Sequence, residues 1–258
     1  MKVTSLSSGT ETVLFMYYSN GSATSQQDAT GVWSNGYEAV YHLNGNSLDS
    51  TSNARNATNS GTADATGRTA NGRDFEFADS TDKLTLGTWS VSGTGLTIQS
   101  WVNFESFDAG DGRLISKNQG DAADDHVFML SSTAGPLLRY RQKTGTDDAA
   151  NTQTFIATSG TLLIGTWYLA AATYDGSNMI IYRDGTSVGS VAKTVTGNMR
   201  ENAWAITAGN QANTNQPLDG ILDEIRISSV ARNAGWLTTE YNNQGTPTTF
   251  YTLGADEN

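Results

Sequence analysis

The sequence predicts an all-β protein: an antiparallel two-sheet sandwich with one short helix near its C-terminal end. Three observations carry this. Only 16% of the 258 residues are charged, Pro occurs 3 times, Gly 27 times, and Ser, Thr and Asn are abundant, a composition suited to short strands and tight turns. Several runs alternate apolar and polar residues with the period of a half-buried strand. Two Asp-Gly pairs, Asp175-Gly176 and Asp184-Gly185, separate three β-prone runs, the pattern of a three-stranded meander.

Along the chain, Thr12 to Tyr18 reads as a β-prone strand, followed by a Ser/Gln/Asn/Gly connector ending at Val32-Trp33. That strand has no early partner, so residues 1–33 are expected to be the end of a truncated upstream β segment plus a linker. Tyr37, Ala39, Tyr41 and Leu43 alternate with Glu38, Val40 and His42, which predicts the first strand of the main domain. Residues 44–72 hold few large apolar side chains and predict a long loop with brief strands, a length that usually signals function or a bound ion. Asn71-Gly72 then predicts a tight turn into Asp74 to Phe77, with Leu84 and Leu86 on the next strand.

In Leu96 to Phe104, Leu96, Ile98, Val102 and Phe104 share one face, while Thr97, Gln99, Trp101 and Asn103 share the other. Further strands are expected at 113–117, 126–131, 137–142 and 153–157, then the meander over 167–191, then Trp204 to Ala208 and Gly220 to Ile227. Asn233 can cap a short helix in which Leu237 and Tyr241 share a face. The main domain is therefore expected over residues 34–250, with a tail at 251–258.

The net charge of −11 and pI near 4.5 exclude the concentrated basic surface that nucleic acid requires. With no Cys there is neither disulfide framework nor thiolate chemistry. No apolar run reaches the roughly 20 residues of a membrane helix, so membrane insertion is not expected, and Met1 to Thr10 has no apolar signal core. Asn20-Gly21-Ser22 and Asn56-Ala57-Thr58 match the acceptor pattern for N-glycosylation, which matters only in a eukaryotic secretory route.

A set of segments, in order and at consistent spacing over roughly residues 37–245, resembles the laminin G-like, concanavalin A-like domains of the lectin/glucanase superfamily. They are Tyr41-His42-Leu43 with Asp49 to Asn53; Asp74-Phe75-Glu76-Phe77; Leu96 to Val102; Trp167 to Gly185; and Leu218 to Ile227. Val13 to Asn20 also resembles the closing strand of a small β domain found before such modules in bacterial and archaeal surface proteins. The resemblance implies a jelly-roll sandwich, frequently with a structural calcium ion and sometimes with sugar on a concave face or at loop ends.

For calcium, the resemblance points to Asp49 and Asp223, with Asn53 in the same loop as Asp49 adding an oxygen; the ion needs six to eight hard oxygens at about 2.3–2.6 Å. The competing reading has Asp49 capping a turn and Asp223 paired with an arginine such as Arg226 or Arg55. Asp111, Asp121, Asp124, Asp125, Asp147 and Asp148 crowd the middle loops without ordered ligand spacing, and read as solvated carboxylates.

For sugar, an exposed aromatic beside polar groups is needed, because rings stack on the apolar faces of pyranoses while amides, guanidinium groups and carboxylates take the hydroxyls. Tyr140 between Arg139 and Arg141 fits by composition, with Trp204 and His126 next; the competing reading of Tyr140 is a tyrosine packed in the sandwich. Trp101, Trp167 and Trp236 are expected in the core.

Catalysis is not expected. Glycosidases of this sandwich usually carry a Glu-x-Asp-x-x-Glu strand, whereas the nearest run here, Asp219 to Glu224, has the wrong period, and no paired-histidine or G-x-S-x-G motif occurs. The expectation is a calcium-stabilised, non-catalytic carbohydrate-binding or adhesion module of a larger exported protein, extracellular or at the cell surface, binding a polysaccharide or glycan, with a protein surface as the further option. The alternatives are a structural or protein-interaction spacer, as in surface or viral decoration proteins, and a polysaccharide lyase or glycoside hydrolase.

Overall fold

The computed structural model describes residues 13–15, 20–79, 81–107, 110–120, 122, 125–146, 148–213, 215–250 and 254. Its strands, in chain order, are β1 (Tyr37–Tyr41), β2 (Thr58–Ser60), β3 (Ala63–Thr66), β4 (Asn71–Phe75), β5 (Lys83–Gly87), β6 (Leu96–Phe104), β7 (Arg113–Asn118), β8 (His126–Ser132), β9 (Leu138–Lys143), β10 (Thr152–Ile156), β11 (Trp167–Tyr174), β12 (Asn178–Arg183), β13 (Thr186–Ala192), β14 (Ile206–Ala208) and β15 (Gly220–Ser228). The helices are α1 (Ala29–Val32), α2 (Ala234–Gly245) and α3 (Pro247–Phe250).

The strands form two antiparallel sheets. One has eight strands in the order β13-β12-β11-β6-β15-β4-β3, with β1 added on β15; the other has seven, in the order β10-β9-β8-β7-β14-β5-β2. This is the expected sandwich. Leu96, Ile98, Val102 and Phe104 of β6 meet Leu130, Leu138 and Tyr140 of β8 and β9 in one core cluster between the sheets. The meander forms as read: Asp184 (φ 56°) and Gly185 (φ 77°) both take the left-handed conformation that a two-residue hairpin needs.

Local differences from the sequence reading have identifiable causes. Asn71 and Gly72 lie inside β4, and the β3–β4 turn is made instead by Gly67 to Ala70, closed by the Gly67 N–H on the Ala70 carbonyl (2.9 Å). Gly72 is needed where it stands, since a Cβ would lie 2.6 Å from the Leu222 carbonyl of the neighbouring strand. Most of the strand expected at Thr12 to Tyr18 lies outside the described residues; Val13, Leu14 and Phe15 are exposed and outside any strand. Trp101 is fully buried as expected, Trp167 is half-buried, and Trp236 is 37% exposed because α2 turns Leu237, not Trp236, to the sheet.

Helix α2 begins where Asn233 accepts the Trp236 N–H (2.9 Å) and lies across the outer face of the eight-stranded sheet. Leu237 packs on Ala171 and Tyr182, and Tyr241 stacks on Trp101 at 5.5 Å. Beneath it runs a polar network. Strand β15 pairs with β4 through Gly220 to Leu222 and with β1 through Ile225 to Ser228, and at the changeover it bulges, with Glu224 at φ 52°. The bulge aims the Glu224 carboxylate at Arg226 Nη2 (2.6 Å), His42 Nδ1 (2.7 Å) and Gln244 Nε2 (3.1 Å). Arg226 Nη1 donates to Glu240 of α2 (3.0 Å), which also accepts from Tyr37 Oη and Gln99 Nε2, each at 2.6 Å.

Glu224 and Arg226 are buried and Glu240 is part-buried, so removing the cation strands one buried carboxylate and leaves a second, part-buried one without its ion partner. Arg226→Met is expected to lower unfolding stability by about 3–5 kcal/mol, read by urea denaturation monitored through tryptophan fluorescence.

Candidate functional site

The outer face of the seven-stranded sheet is not covered by α2, and the register sets what it presents. Tyr140 pairs with Leu130 and Phe155, whereas Arg139 pairs with Ser131 and Arg141 with Met129 and Thr154. Period two therefore sends Leu138 and Tyr140 into the core and Arg139 and Arg141 outward. Tyr140 is 0% exposed, with its hydroxyl donating to Gln142 Oε1 at 2.8 Å. It cannot stack on a sugar, and the reading of a sheet-packing tyrosine holds. Burial pushes its phenol pKa well above the usual range.

Arg139, Arg141 and His126 do come together on this face, joined by Arg113 and Asp111. Arg113 and Arg139 both form ion pairs with the Asp111 carboxylate. Asp111 is thus a clamp between strands β7 and β9, not the solvated loop carboxylate that the sequence suggests. Arg141 donates Nε to Thr154 Oγ1 (2.8 Å), and its Nη1 lies 2.9 Å from His126 Nδ1. That same ring nitrogen is 2.9 Å from the Ala122 carbonyl, and Nε2 is 3.4 Å from Arg113 Nη2, so the imidazole is 0% exposed and enclosed by two arginines. Burial and then the Arg141 charge lower its pKa to about 4, so it is neutral at pH 7 and is a buried scaffold group, not a solvent-facing ligand.

Burial also lowers Arg113 to about 10 and Arg141 below its ordinary value. Trp204 is half-buried against the core, with its backbone carbonyl accepting from the buried Lys117 ammonium (2.8 Å) and its ring centroid 5.9 Å from Lys143 Nζ. Beside the arginines, on the edge strand β10, Thr154 and Ile156 are exposed. The result is a ledge of two half-exposed guanidinium groups, a hydroxyl and an apolar side chain.

The residues expected to hold calcium are placed differently. Asp49 Oδ1 accepts the Val40 and Thr51 N–H groups (3.0 and 2.9 Å), and Oδ2 accepts Thr51 Oγ1 and the Arg55 N–H (2.8 and 2.9 Å). Asn53 donates its side-chain amide to the Glu38 carbonyl (3.0 Å). Strand β1 runs between Asp49 and β15, since Tyr41 bridges Asp49 on one edge and pairs with Ile225 on the other. Asp223 sits under the β3–β4 turn, where Oδ2 accepts Thr69 N (2.8 Å) and Oγ1 (3.2 Å), while Oδ1 is buried without a donor. Asp49, Asn53 and Asp223 thus do not converge, and donors surround Asp49 where a cation would need bare oxygens. As a calcium cage this set does not fit; Asp49 organises its loop as a turn cap.

A different carboxylate group was not singled out from sequence. Asp74, Glu76 and Glu105 bring oxygens within 4.8 Å of one another, with Asp219 beside them accepting the Phe77 N–H (3.1 Å). Of the described residues, this trio has the donor set that could hold a metal ion. Burial and like charge raise all three pKa values, burial first at Asp74 and Glu105, and the Asp74 charge first at Glu76. The available signal was the alternation Asp74-Phe75-Glu76, which puts two acids on one side of the chain at the end of β4; Glu105 follows β6, which β15 separates from β4, so sequence alone did not bring the third acid to them.

With this geometry in place, the comparisons are consistent with the fold. The family model of the concanavalin A-like lectin/glucanases superfamily, in its laminin G-like form, matches residues 78–238, and the chain belongs to that family. Among solved structures it is similar to the binding domain of Paraclostridial mosquitocidal protein 1 (16% identity, TM-score 0.63, 82% of this chain and 53% of that one). It is also similar to domain 4 of AbnA, a GH43 extracellular arabinanase from Geobacillus stearothermophilus, solved with arabinotriose (18%, TM-score 0.60, 79% and 97%). A third is the botulinum neurotoxin serotype G binding domain (13%, TM-score 0.62, 81% and 51%). The chain spans about half of the two toxin domains. At these identities the likeness shows the fold. No curated protein sequence matches the chain. Among the described residues no helix is long and apolar enough to cross a membrane.

Two outcomes follow from the carboxylates. Asp49→Ala removes four hydrogen bonds and is expected to lower the thermal midpoint by several degrees, equally in calcium and in chelator; a wild-type midpoint that drops only on chelation would restore the cation reading. Burial raises Asp223 to about 6 from an unfolded value of 3.8, so the folded state binds the proton more tightly and its contribution to stability falls as pH rises from about 4 to 6. Asp223→Asn is expected to abolish that fall, gaining roughly 1–3 kcal/mol on wild type between pH 4 and pH 7 in denaturant titrations.

Proposed function

We propose that this domain is a non-catalytic glycan-binding module, and that its ligand lies along the β9–β10 ledge. The observation that carries the proposal is the register of β9. It turns Arg139 and Arg141 outward beside exposed Thr154 and Ile156, on the outer face that the helix leaves open, while the opposite outer face is occupied by α2 and its buried network. Guanidinium and hydroxyl donors suit sugar oxygens, and Ile156, 46% exposed, gives a small apolar floor for a ring face. The family, with binding domains among its solved relatives, supports the reading. An extracellular or cell-surface setting belongs to the same proposal.

The structural calcium anticipated at Asp49, Asn53 and Asp223 forms no part of it. The clustered acids Asp74, Glu76 and Glu105 are on the other sheet, away from the proposed ledge.

Screening on a glycan array is expected to find binding that Ile156→Ala weakens roughly three- to tenfold, the cost of losing a part-exposed apolar contact. Incubation with the bound polysaccharide is expected to release no new reducing ends and no unsaturated sugars. Absence of binding to every glycan would leave the spacer reading instead, and turnover would overturn the non-catalytic one.

A further inference from the structure

We infer that the arginine row on the ledge selects an acidic glycan, with the carboxylate of a uronic acid seated on Arg141 and flanked by Arg139. This deepens the glycan-binding reading and rests on it. Three guanidinium groups, those of Arg113, Arg139 and Arg141, share one face of two strands that flank β8, since Arg113 and Arg139 both pair with Ser131 and Arg141 pairs with Met129. Asp111 is the only carboxylate among the described residues that forms ion pairs with them; it pairs with Arg113 and Arg139 and not with Arg141.

Among the described residues, three fixed positive charges against one negative leave the cluster with a formal excess of two, on a chain whose net charge is −11. Arg141 spends Nε on a threonine hydroxyl, and its Nη1 faces a histidine nitrogen that already lies against the Ala122 carbonyl. Arg141 is half-buried, and its Nη2 has no partner among the described residues. A carboxylate oxygen can accept a charge-assisted hydrogen bond from the free Nη2, and a partly dehydrated site strengthens it. The acidic remainder of the molecule disfavours long polyanions such as nucleic acid and leaves the row suited to a single oxyanion on a sugar.

The test is calorimetric titration of the whole chain with a short oligogalacturonate, its fully methyl-esterified form, and dextran sulfate, for wild type, Arg141→Gln and Arg139→Gln. Thermal unfolding checks that the variants fold. The expected result is binding of the acid that weakens with added salt, and that falls about tenfold or more on esterification or in Arg141→Gln, as for loss of a charged hydrogen-bond pair. Equal affinity for the ester, with Arg141→Gln unchanged, overturns the acidic preference while leaving the glycan reading intact. Binding of dextran sulfate alone overturns the carboxylate assignment. No binding by any of these or by neutral glycans on the array removes both.

Discussion

The fold turns on the bulge of β15. At Asp223-Glu224 one strand ends its pairing with β4 and begins pairing with β1, and the left-handed backbone at Glu224 (φ 52°) sends a carboxylate to the side where α2 and the N-terminal segment meet the sheet. Glu224 then holds Arg226, and Arg226 holds Glu240 of the helix, with Trp33 lying 4.7 Å from the guanidinium. His42, Arg226 and hydrogen bonding outweigh desolvation and bring the Glu224 pKa down to about 2. Its stabilising contribution is full above the unfolded value of 4.5 and is lost as pH falls toward 2. Such a buried network adds little net energy over an apolar one, but it fixes where the helix docks, because each charge has only one place where it is satisfied.

Docking the helix there gives the sandwich two unlike outer faces. On the eight-stranded sheet, Gln99 and Trp101 are buried beneath α2, so a face that alternates like a solvent face is interior. On the seven-stranded sheet, polar groups such as Ser116, Asn118, Thr207 and Gln211 are also buried, Asn118 and Gln211 by bonding one another and Ser116 with Thr207, and the row opens to solvent toward β9 and β10. At that edge Arg139, Arg141 and Thr154 reach solvent. That asymmetry, more than any single side chain, is what the proposed ligand position rests on.

The cationic row and the acidic cluster are physically related opposites. Arg113, Arg139 and Arg141 crowd positive charge around one carboxylate, while Asp74, Glu76 and Glu105 crowd negative charge on the other sheet; burial first, and like charge after it, lowers proton affinity at Arg113 and Arg141 and raises it at Glu105, and at Glu76 the Asp74 charge leads. Both are groupings that a net charge conceals. The value of −11 argued correctly that the molecule as a whole is acidic, yet it says nothing of a local excess of arginine on one strand face.

Strand positions, the Asp-Gly hairpin, the Asn233 cap and the two-sheet class were legible in the sequence because each depends on residues within a few positions of one another. The side that Tyr140 faces was legible too: strand period sets it opposite Arg139 and Arg141, and grouping the three by adjacency overlooked that period. What only the tertiary structure decided were partners separated by long stretches of chain: Asp111 with Arg139, Glu224 with His42, Asp223 beneath Thr69, and Asp49 bound up in its own loop. Alternation marks two faces of a strand but not which neighbour covers each, and a carboxylate acquires its role from the donors that long-range packing brings to it.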